Sequence, residues 1–452
     1  MSIYKANDIR GIYGTELKNA DAYALGNAFV RYTEAKRIAV GRDNRISSPA
    51  LHKALVQGII DAGADVLDIG GVDSPALYFA TSYLETPGIM ITSSHNPAEY
   101  NGFYVCGPHA APFNEQTGLK TLEAYAKKKA IKNTHKGSVY SAPLMRPYTK
   151  HVLSFLNHKE TRPFTVVIDT GNGMGAQIAT RVFKALRNVT VIPLYYESDG
   201  RFPHHGPDPS KIENLQQLGE KVLETEADFG IALDGDADRA GFVDENGEPI
   251  EGSLVGALLA QHVLAHHPHE KIVYSSTCSR ILPETIIHAK GTPLKDKVGH
   301  TFIKYRMRKE HALFGIENTG HYMYRDNDYA DSGIITAVLM CQLYASQQKT
   351  LSALVKPLKK YYKAPEYNMH IKNASKYIPL LRAKIRALKP QKMDLQDGIA
   401  ADFGTYWVSI RASQTEPLMR LVIEGKHKDE VEKVKKLLIE HTFVKSGYFP
   451  KS

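Results

Sequence analysis

The sequence predicts a soluble α/β protein built as several layered domains. Its 452 residues are enough for about three to four domains of ordinary size, each with its own core. Apolar, strand-like runs alternate with capped amphipathic segments, as in βαβ-type units. After Ala364-Pro365 the pattern changes, which marks a last domain of different build.

Composition narrows the class. Hydrophobic residues at 43% and charged residues at 23% are ordinary for a globular chain. No apolar run approaches the roughly 18 residues of a membrane span, and Met1-Ser2-Ile3-Tyr4-Lys5 carries no signal-peptide pattern, so a cytoplasmic protein with no membrane partner is expected. Cys106, Cys278 and Cys341 are too few and too scattered for a disulfide framework or a zinc site. The net charge of +9 is dispersed. Its densest cluster, Lys127-Lys128-Lys129 with Lys132, follows a polar helical pattern and reads as a solvated face. The excess suits phosphorylated metabolites, and no nucleic-acid partner is expected.

In chain order, Asn19 or Asp21 caps a helix whose Ala22, Leu25 and Phe29 share a face, and Arg37–Gly41 reads as a buried strand. Ser48-Pro49 opens a second helix that stops at Gly63, with Pro at its start and Gly past its end. Asp65–Ile69 is the next strand, Ser74-Pro75 starts another helix, and Gly88–Ile91 leads into Thr92-Ser93-Ser94-His95-Asn96-Pro97. A strand that ends in small hydroxyl residues and a His-Asn-Pro turn delivers a serine to the lip of a sheet, where a ligand can reach it. Ser94 is therefore the candidate phosphoryl carrier.

The polar stretch from Lys127 to Ser141 suits a connection into a second domain, which starts with the strand Phe164–Asp169. The turn Thr170–Gly175 is glycine-rich, but it lacks the Gly-x-Gly-x-x-Gly spacing and a ribose carboxylate, so it reads as a tight structural turn. Phe202–Pro209 is a rigid, proline-punctuated loop. The strand Phe229–Leu233 then runs into Asp234-Gly235-Asp236-Ala237-Asp238-Arg239. Three carboxylates at alternate positions converge where Gly235 and Ala237 let the backbone curl, and such hard oxygen ligands suit Mg²⁺ together with a phosphate oxygen. An EF-hand loop does not fit, because Arg239 stands where that loop needs glycine and an outgoing strand, Ala240–Val243, follows. Asn246-Gly247 closes a hairpin.

A third domain begins near Glu251, with a helix through Leu254–Leu259 and a strand at Lys271–Tyr274. Asp331-Ser332 caps a long apolar helix to about Tyr344. In the last domain the strand Val408–Ile410 leads into Arg411-Ala412-Ser413-Gln414-Thr415-Glu416-Pro417, an arginine with small donors that forms a cage for phosphate oxygens. The closing Glu430–Leu438 helix packs on the core.

The serine hexapeptide with Tyr100-Asn101-Gly102-Phe103, the aspartate loop, Val298-Gly299-His300-Thr301-Phe302-Ile303-Lys304, Phe314–His321 and the Arg411 loop resemble, in order, the loops of the α-D-phosphohexomutase family. Lys5–Gly14 resembles its N-terminal loop, whose arginine faces the active site. The resemblance implies three similar mixed-sheet α/β/α domains and a smaller α+β C-terminal domain around a central cleft, with limits at 1–145, 146–252, 253–364 and 365–452. It implies a phosphomannomutase or phosphoglucomutase that moves phosphate between C1 and C6 of a hexose through phosphoserine and a hexose 1,6-bisphosphate, which serves as intermediate and activator. The alternatives are a phosphoglucosamine mutase and a phosphosugar-binding pseudoenzyme. The residues implied as catalytic are Ser94, His95, Arg10 and Arg239. Those implied for substrate are His300, Lys304, Glu317, Thr319, His321, Arg411, Ser413, Gln414 and Thr415, and those for Mg²⁺ are Ser94, Asp234, Asp236 and Asp238. The partner is a phosphosugar, and the chain is expected to be a monomer or homodimer.

Three positions depart from the family pattern: Tyr104 and Thr277 stand where relatives carry lysines, and Gln414 where they usually carry Asn or Gly. The residues leave open whether Arg10, His95, His109 or Lys304 compensates, or whether Tyr104 donates the proton.

Overall fold

The computed structural model describes residues 2–156, 162–371, 374–413 and 418–439. Four sheets follow one another along the chain. The first runs Ile9–Ile12, Tyr100–Cys106, Gly88–Ile91, Arg37–Arg42, Asp65–Gly71, Val139–Ser141 across its width. Its inner strands are parallel and joined by helices, while Tyr100–Cys106 pairs antiparallel with both of its neighbours. Ile9–Ile12 thus closes the edge with Arg10 opposite Gly102, where a Cβ would stand 2.2 Å from the Ile9 carbonyl oxygen.

The helices Asn19–Thr33 and Ser48–Asp61 cross almost backbone to backbone, because a Cβ at Gly58 would lie 2.1 Å from the Tyr23 carbonyl oxygen. The first of them is capped differently from expectation. Lys18 is the N-cap, and Asp21 reaches back to its amide at 2.8 Å. The second helix ends as the sequence indicates, with Gly63 just past it at φ +93°. Within the polar connection, Val139–Ser141 forms an exposed edge strand beside Asp65–Gly71.

The second sheet runs Pro249–Ile250, Ala240–Val243, Phe229–Leu233, Phe164–Asp169, Val189–Leu194, and the third Thr292–Asp296, Lys271–Ser275, Phe314–Ile316, Tyr322–Tyr324. Both repeat the plan of parallel strands with an antiparallel hairpin at one side. The fourth sheet is antiparallel and is covered by the helices Ile378–Ala387 and Lys428–Leu437. The expected architecture, three mixed α/β/α layers and a smaller α+β unit, is the one observed.

Packing divides the molecule unequally. One buried apolar cluster runs without a break through Met90, Ile168, Phe229, Ile272 and Phe314, which belong to the first three sheets. The fourth sheet has a separate core around Val408, Ile410 and Leu421. Its boundary with the third unit is polar. Arg280 donates to Asp402 at 2.6 Å and to the carbonyls of Gly404 and Tyr406, while its own amide donates to Glu424 Oε2 at 3.0 Å. The same Glu424 oxygen accepts from the indole of Trp407, the chain's single tryptophan, at 2.7 Å.

Candidate active site

The Gly88–Ile91 strand ends at a loop in which Ser94 adopts φ +46°, a left-handed conformation uncommon outside glycine. The Ser94 amide is held by Thr92 Oγ1 at 2.9 Å, and the hydroxyl donates to Asp234 Oδ2 at 2.7 Å and lies 3.2 Å from His95 Nδ1. Burial, and then the charges of Arg239 and Arg10, hold the His95 imidazole far below its ordinary pKa and therefore neutral. Arg10 pairs with Asp8 at 3.0 Å, donates to Asn96 in the same loop and donates to Tyr104 Oη at 3.0 Å.

The aspartate loop lies directly beneath. Gly235 packs against the Ser94 carbonyl, where a Cβ would be 2.6 Å away. The glycine-rich turn supports this loop from below, with the Met174 amide donating to Gly235 O at 2.9 Å and Gly173 leaving no room for a side chain. His204 and His205 pin the proline loop to that same turn, 2.8 Å from Asn172 and 2.9 Å from Asp169.

Asp234, Asp236 and Asp238 are fully buried, and each offers a carboxylate oxygen within 4.8 Å of the others. Burial, and then the neighbouring Asp236 charge, push the Asp234 and Asp238 carboxyls well above the usual range. Asp236 Oδ2 accepts from Ser74 at 2.5 Å and Thr92 at 3.2 Å, but Asp236 Oδ1 and both oxygens of Asp238 have no hydrogen-bond partner among the described residues. Such buried, unsatisfied oxygens in a ring of carboxylates fit a hard divalent cation, which supplies what the protein leaves unpaired.

A second group of ligand-type side chains, Asp238, His300, His321 and Asp331, lies against the first. It is better described as a charge network than as another metal centre. Lys304 Nζ already occupies Asp331 Oδ1 at 2.6 Å, and His300 Nδ1 lies 3.1 Å from Oδ2. His321 Nε2 accepts from Arg239 Nε at 2.8 Å, so Nδ1 of the neutral ring carries the proton, 2.8 Å from Asp331 Oδ2. Burial alone would raise the Asp331 carboxyl, but Lys304 and the two histidines overcome it and hold the group well below the carboxylate range. Arg239 also faces Asp208, Asp234 and Asp238 at 3.9, 3.9 and 4.0 Å.

Glu317 stands at the mouth of the third unit, buried, with Oε1 accepting from the Gly299 amide at 2.7 Å. Burial outweighs that bond and pushes its carboxyl up to about 7. Arg411 lies across from it, close enough for the two charges to be felt by one another. Thr319 is half-buried at the tip of the Glu317 turn, and the Ser413 amide donates to Leu418 O at 2.7 Å. Gln414 and Thr415 lie outside the described residues.

The structure therefore brings Ser94, His95, Arg10, Arg239, the three aspartates, His300, Lys304 and His321 together, with Glu317 and Arg411 further along the cleft. His109 does not join them, being exposed and 3.8 Å from Asp328. At the two positions where the family's lysines are absent, Tyr104 closes the wall between Arg10 and the His300 ring, and Lys363 Nζ reaches Thr277 O at 3.0 Å and Glu251 at 2.6 Å. An ammonium thus stands beside position 277, supplied by the edge strand Tyr362–Lys363 of the fourth sheet. The sequence offers Asp331-Ser332 as the cap of the long apolar helix. Ser332 does the capping, accepting from Ile335 N, and Asp331 is left to the network. Thr92 and Ser74, legible in the sequence only as part of the hydroxyl-rich loop and as a helix start, hold Asp236.

Comparison with known proteins covers most of the chain. Residues 1–132, 146–247 and 251–361 match alpha/beta/alpha domains I, II and III of phosphoglucomutase/phosphomannomutase, and residues 358–441 match its C-terminal domain. A phosphomannomutase from Escherichia coli is 34% identical over 436 residues, spanning 94% of this chain and 95% of that one. A phosphomannomutase/phosphoglucomutase from Pseudomonas aeruginosa is 35% identical over 445 residues, 96% of this chain and 94% of its own. A crystal structure of a phosphoglucomutase/phosphomannomutase family protein from Burkholderia thailandensis superposes with a TM-score of 0.87 at 31% identity, covering 97% of each chain.

Proposed function

The chain belongs to the phosphoglucomutase/phosphomannomutase family, an isomerase family of carbohydrate metabolism, and from that premise we propose that it moves phosphate between C1 and C6 of mannose or glucose. The observation that carries this reading is the Ser94 hydroxyl lying 2.7 Å from a carboxylate of the buried aspartate ring, with Arg10 and Arg239 beside it. Phospho-Ser94 gives its group to the free hydroxyl of a hexose monophosphate: the Ser94 O–P bond breaks, a sugar O–P bond forms, and the proton leaving the sugar ends on the serine oxygen. The resulting hexose 1,6-bisphosphate turns over and returns its other phosphate to Ser94.

Ser94, Asp234, Asp236 and Asp238 would hold Mg²⁺, which when bound withdraws charge from the phosphoryl group. Arg10 and Arg239 bring positive charge to the same oxygens, and His95, held neutral, accepts or donates a hydrogen bond without adding charge. Glu317 accepts from two sugar hydroxyls once ionised, while Arg411 with Ser413, Gln414 and Thr415 receives the distal phosphate. His300, Thr319, His321 and Lys304 line the path between the two ends. The separate core of the fourth unit suits a hinge that excludes water yet lets the bisphosphate turn. We place the domain limits at 1–145, 146–252, 253–364 and 365–452 and the protein in the cytoplasm, as a monomer or homodimer.

The test is turnover of mannose 1-phosphate, glucose 1-phosphate and glucosamine 1-phosphate with Mg²⁺ and a bisphosphate activator. Preference for glucosamine 1-phosphate would assign a phosphoglucosamine mutase instead. No turnover on any of them, with an unmodified chain by intact mass, would end the enzymatic reading.

A further inference from the structure

We propose that Arg45 is the positioning residue of the Ser94 loop, holding the reactive hydroxyl over the aspartates by gripping the loop's own carbonyls. This rests on the reading of Ser94 as phosphoryl carrier. Arg45 is 1% exposed and touches neither Ser94 Oγ nor any of the three aspartates. Its four terminal N–H bonds go instead to four carbonyls of one loop. Nη1 donates to Pro97 O at 2.6 Å and Tyr100 O at 3.0 Å, and Nη2 to Ser94 O at 2.8 Å and Asn96 O at 2.6 Å.

The guanidinium is itself fixed. Nε faces Asp43 Oδ2 at 3.2 Å, Asp43 is held by the Ser48 hydroxyl and the Arg45 amide, and the Phe202 ring from the second unit lies 5.0 Å from the guanidinium carbon. The pairing with Asp43 offsets the buried charge.

A planar fork with several fixed donors is what four inward-pointing carbonyls require, and a lysine ammonium does not reproduce that geometry. Four carbonyl dipoles converging without a cation would repel one another, and the left-handed φ of Ser94 would relax. Because the grip is on backbone, it does not depend on whether the serine carries a phosphoryl group. The hydroxyl direction is thus set twice over: by the pinned Ser94 carbonyl above, and by Gly235 packed against that same oxygen.

The experiment compares the full-length parent with Arg45→Lys and Arg45→Met. Three quantities are read: hydrogen exchange of the peptide covering residues 94–101, single-turnover transfer from phospho-Ser94 to glucose 1-phosphate with Mg²⁺, and the Kd of glucose 1-phosphate. The expected result is exchange about tenfold faster in that peptide alone, transfer slower by about 10²-fold from a displacement on the order of 1 Å, and Kd unchanged within about twofold. A third variant, Arg45→Ala, should regain part of the rate when guanidinium ion is added, as a grip supplied by the guanidinium group requires. A transfer rate close to the parent's, or rate and Kd falling together, overturns the proposal. Loss of protection throughout both variants also overturns it, since Arg45 would then be a folding residue. A parent that transfers nothing to glucose 1-phosphate or to mannose 1-phosphate refutes the proposed function, whereas the exchange readout needs no sugar and still decides the role of Arg45.

Discussion

Asp238→Asn should stabilise the protein without divalent ions and destabilise it with them. In the ion-free protein Asp238 has three carboxylate neighbours within 4.8 Å, Asp234, Asp236 and Asp331, and at an effective dielectric constant of about 20 each ionised pair at that distance costs about 3.5 kcal/mol. Two such terms exceed the roughly 4 kcal/mol needed to keep a carboxyl of ordinary pKa 3.8 protonated at pH 7, at about 1.36 kcal/mol per unit. Its carboxyl is therefore raised well above the usual range, and its cost to the fold at pH 7 is bounded near that second figure, less what Arg239 returns. Removing the charge should raise stability by about 1 to 4 kcal/mol, or roughly 2 to 10 °C in a melting midpoint. A carboxyl raised in the folded state costs little below its unfolded pKa and progressively more as pH climbs, so the parent in EDTA loses stability from about pH 4 upward more steeply than the variant. With Mg²⁺ at a thousand times Kd the order reverses, because the parent gains about 4.1 kcal/mol, more than the variant's largest advantage, and the variant has lost a ligand. Melting curves of both proteins at several pH values, with EDTA and with Mg²⁺, test this. A variant that melts lower in EDTA, or an unchanged order with the ion, would refute the account of the aspartate ring.

Ser94→Ala should abolish the single added phosphate in intact-mass spectra after incubation with a hexose 1,6-bisphosphate and lower turnover by on the order of 10³-fold or more; phosphate found on the variant would point to another carrier. Glu317→Gln should weaken sugar monophosphate binding by roughly 10- to 100-fold, the worth of hydrogen bonds to a charged group, as read by calorimetry. The same change should remove up to about 3 kcal/mol of destabilisation that grows as pH rises from about 4.5 to about 7, the range over which the carboxyl is ionised in the unfolded chain and still protonated in the folded one; a pH profile of stability identical to the parent's would contradict the burial argument. Tyr104→Phe, which takes the phenol from Arg10, should cost about 5- to 10-fold in kcat/KM with the melting midpoint nearly unchanged, and full activity would make that hydrogen bond incidental.

What the sequence shows about this site depends on how local each signal is. Asp234, Asp236 and Asp238 announce themselves because three carboxylates at alternate positions after an apolar strand serve no folding purpose, and Ser94 is marked by the strand and turn around it. Arg10 looks like any surface arginine until Ile9–Ile12 pairs with Tyr100–Cys106, about ninety residues away, and that pairing leaves no periodic trace in a four-residue strand. Asp331 and Arg45 are harder still. Beside Ser332 an aspartate reads as a cap, and nothing near it in sequence names Lys304, His300 or His321 as its partners. The partners of Arg45 are main-chain oxygens, which no residue type encodes. Strands and capped helices were legible for the same reason that Asp234 was, whereas Val139–Ser141, three exposed residues at the end of a polar stretch, is too short to show the alternation that marks a strand.

The one indole in the molecule sits on the seam between the third and fourth units, sharing Glu424 with the amide of Arg280. Swinging the fourth unit outward would part that amide from the carboxylate and let solvent reach the ring, so emission should move to longer wavelength and become easier to quench with acrylamide. Closing on a sugar phosphate should do the opposite. The chain thus carries its own optical gauge of cleft opening, with no other tryptophan to blur the reading and no label to attach.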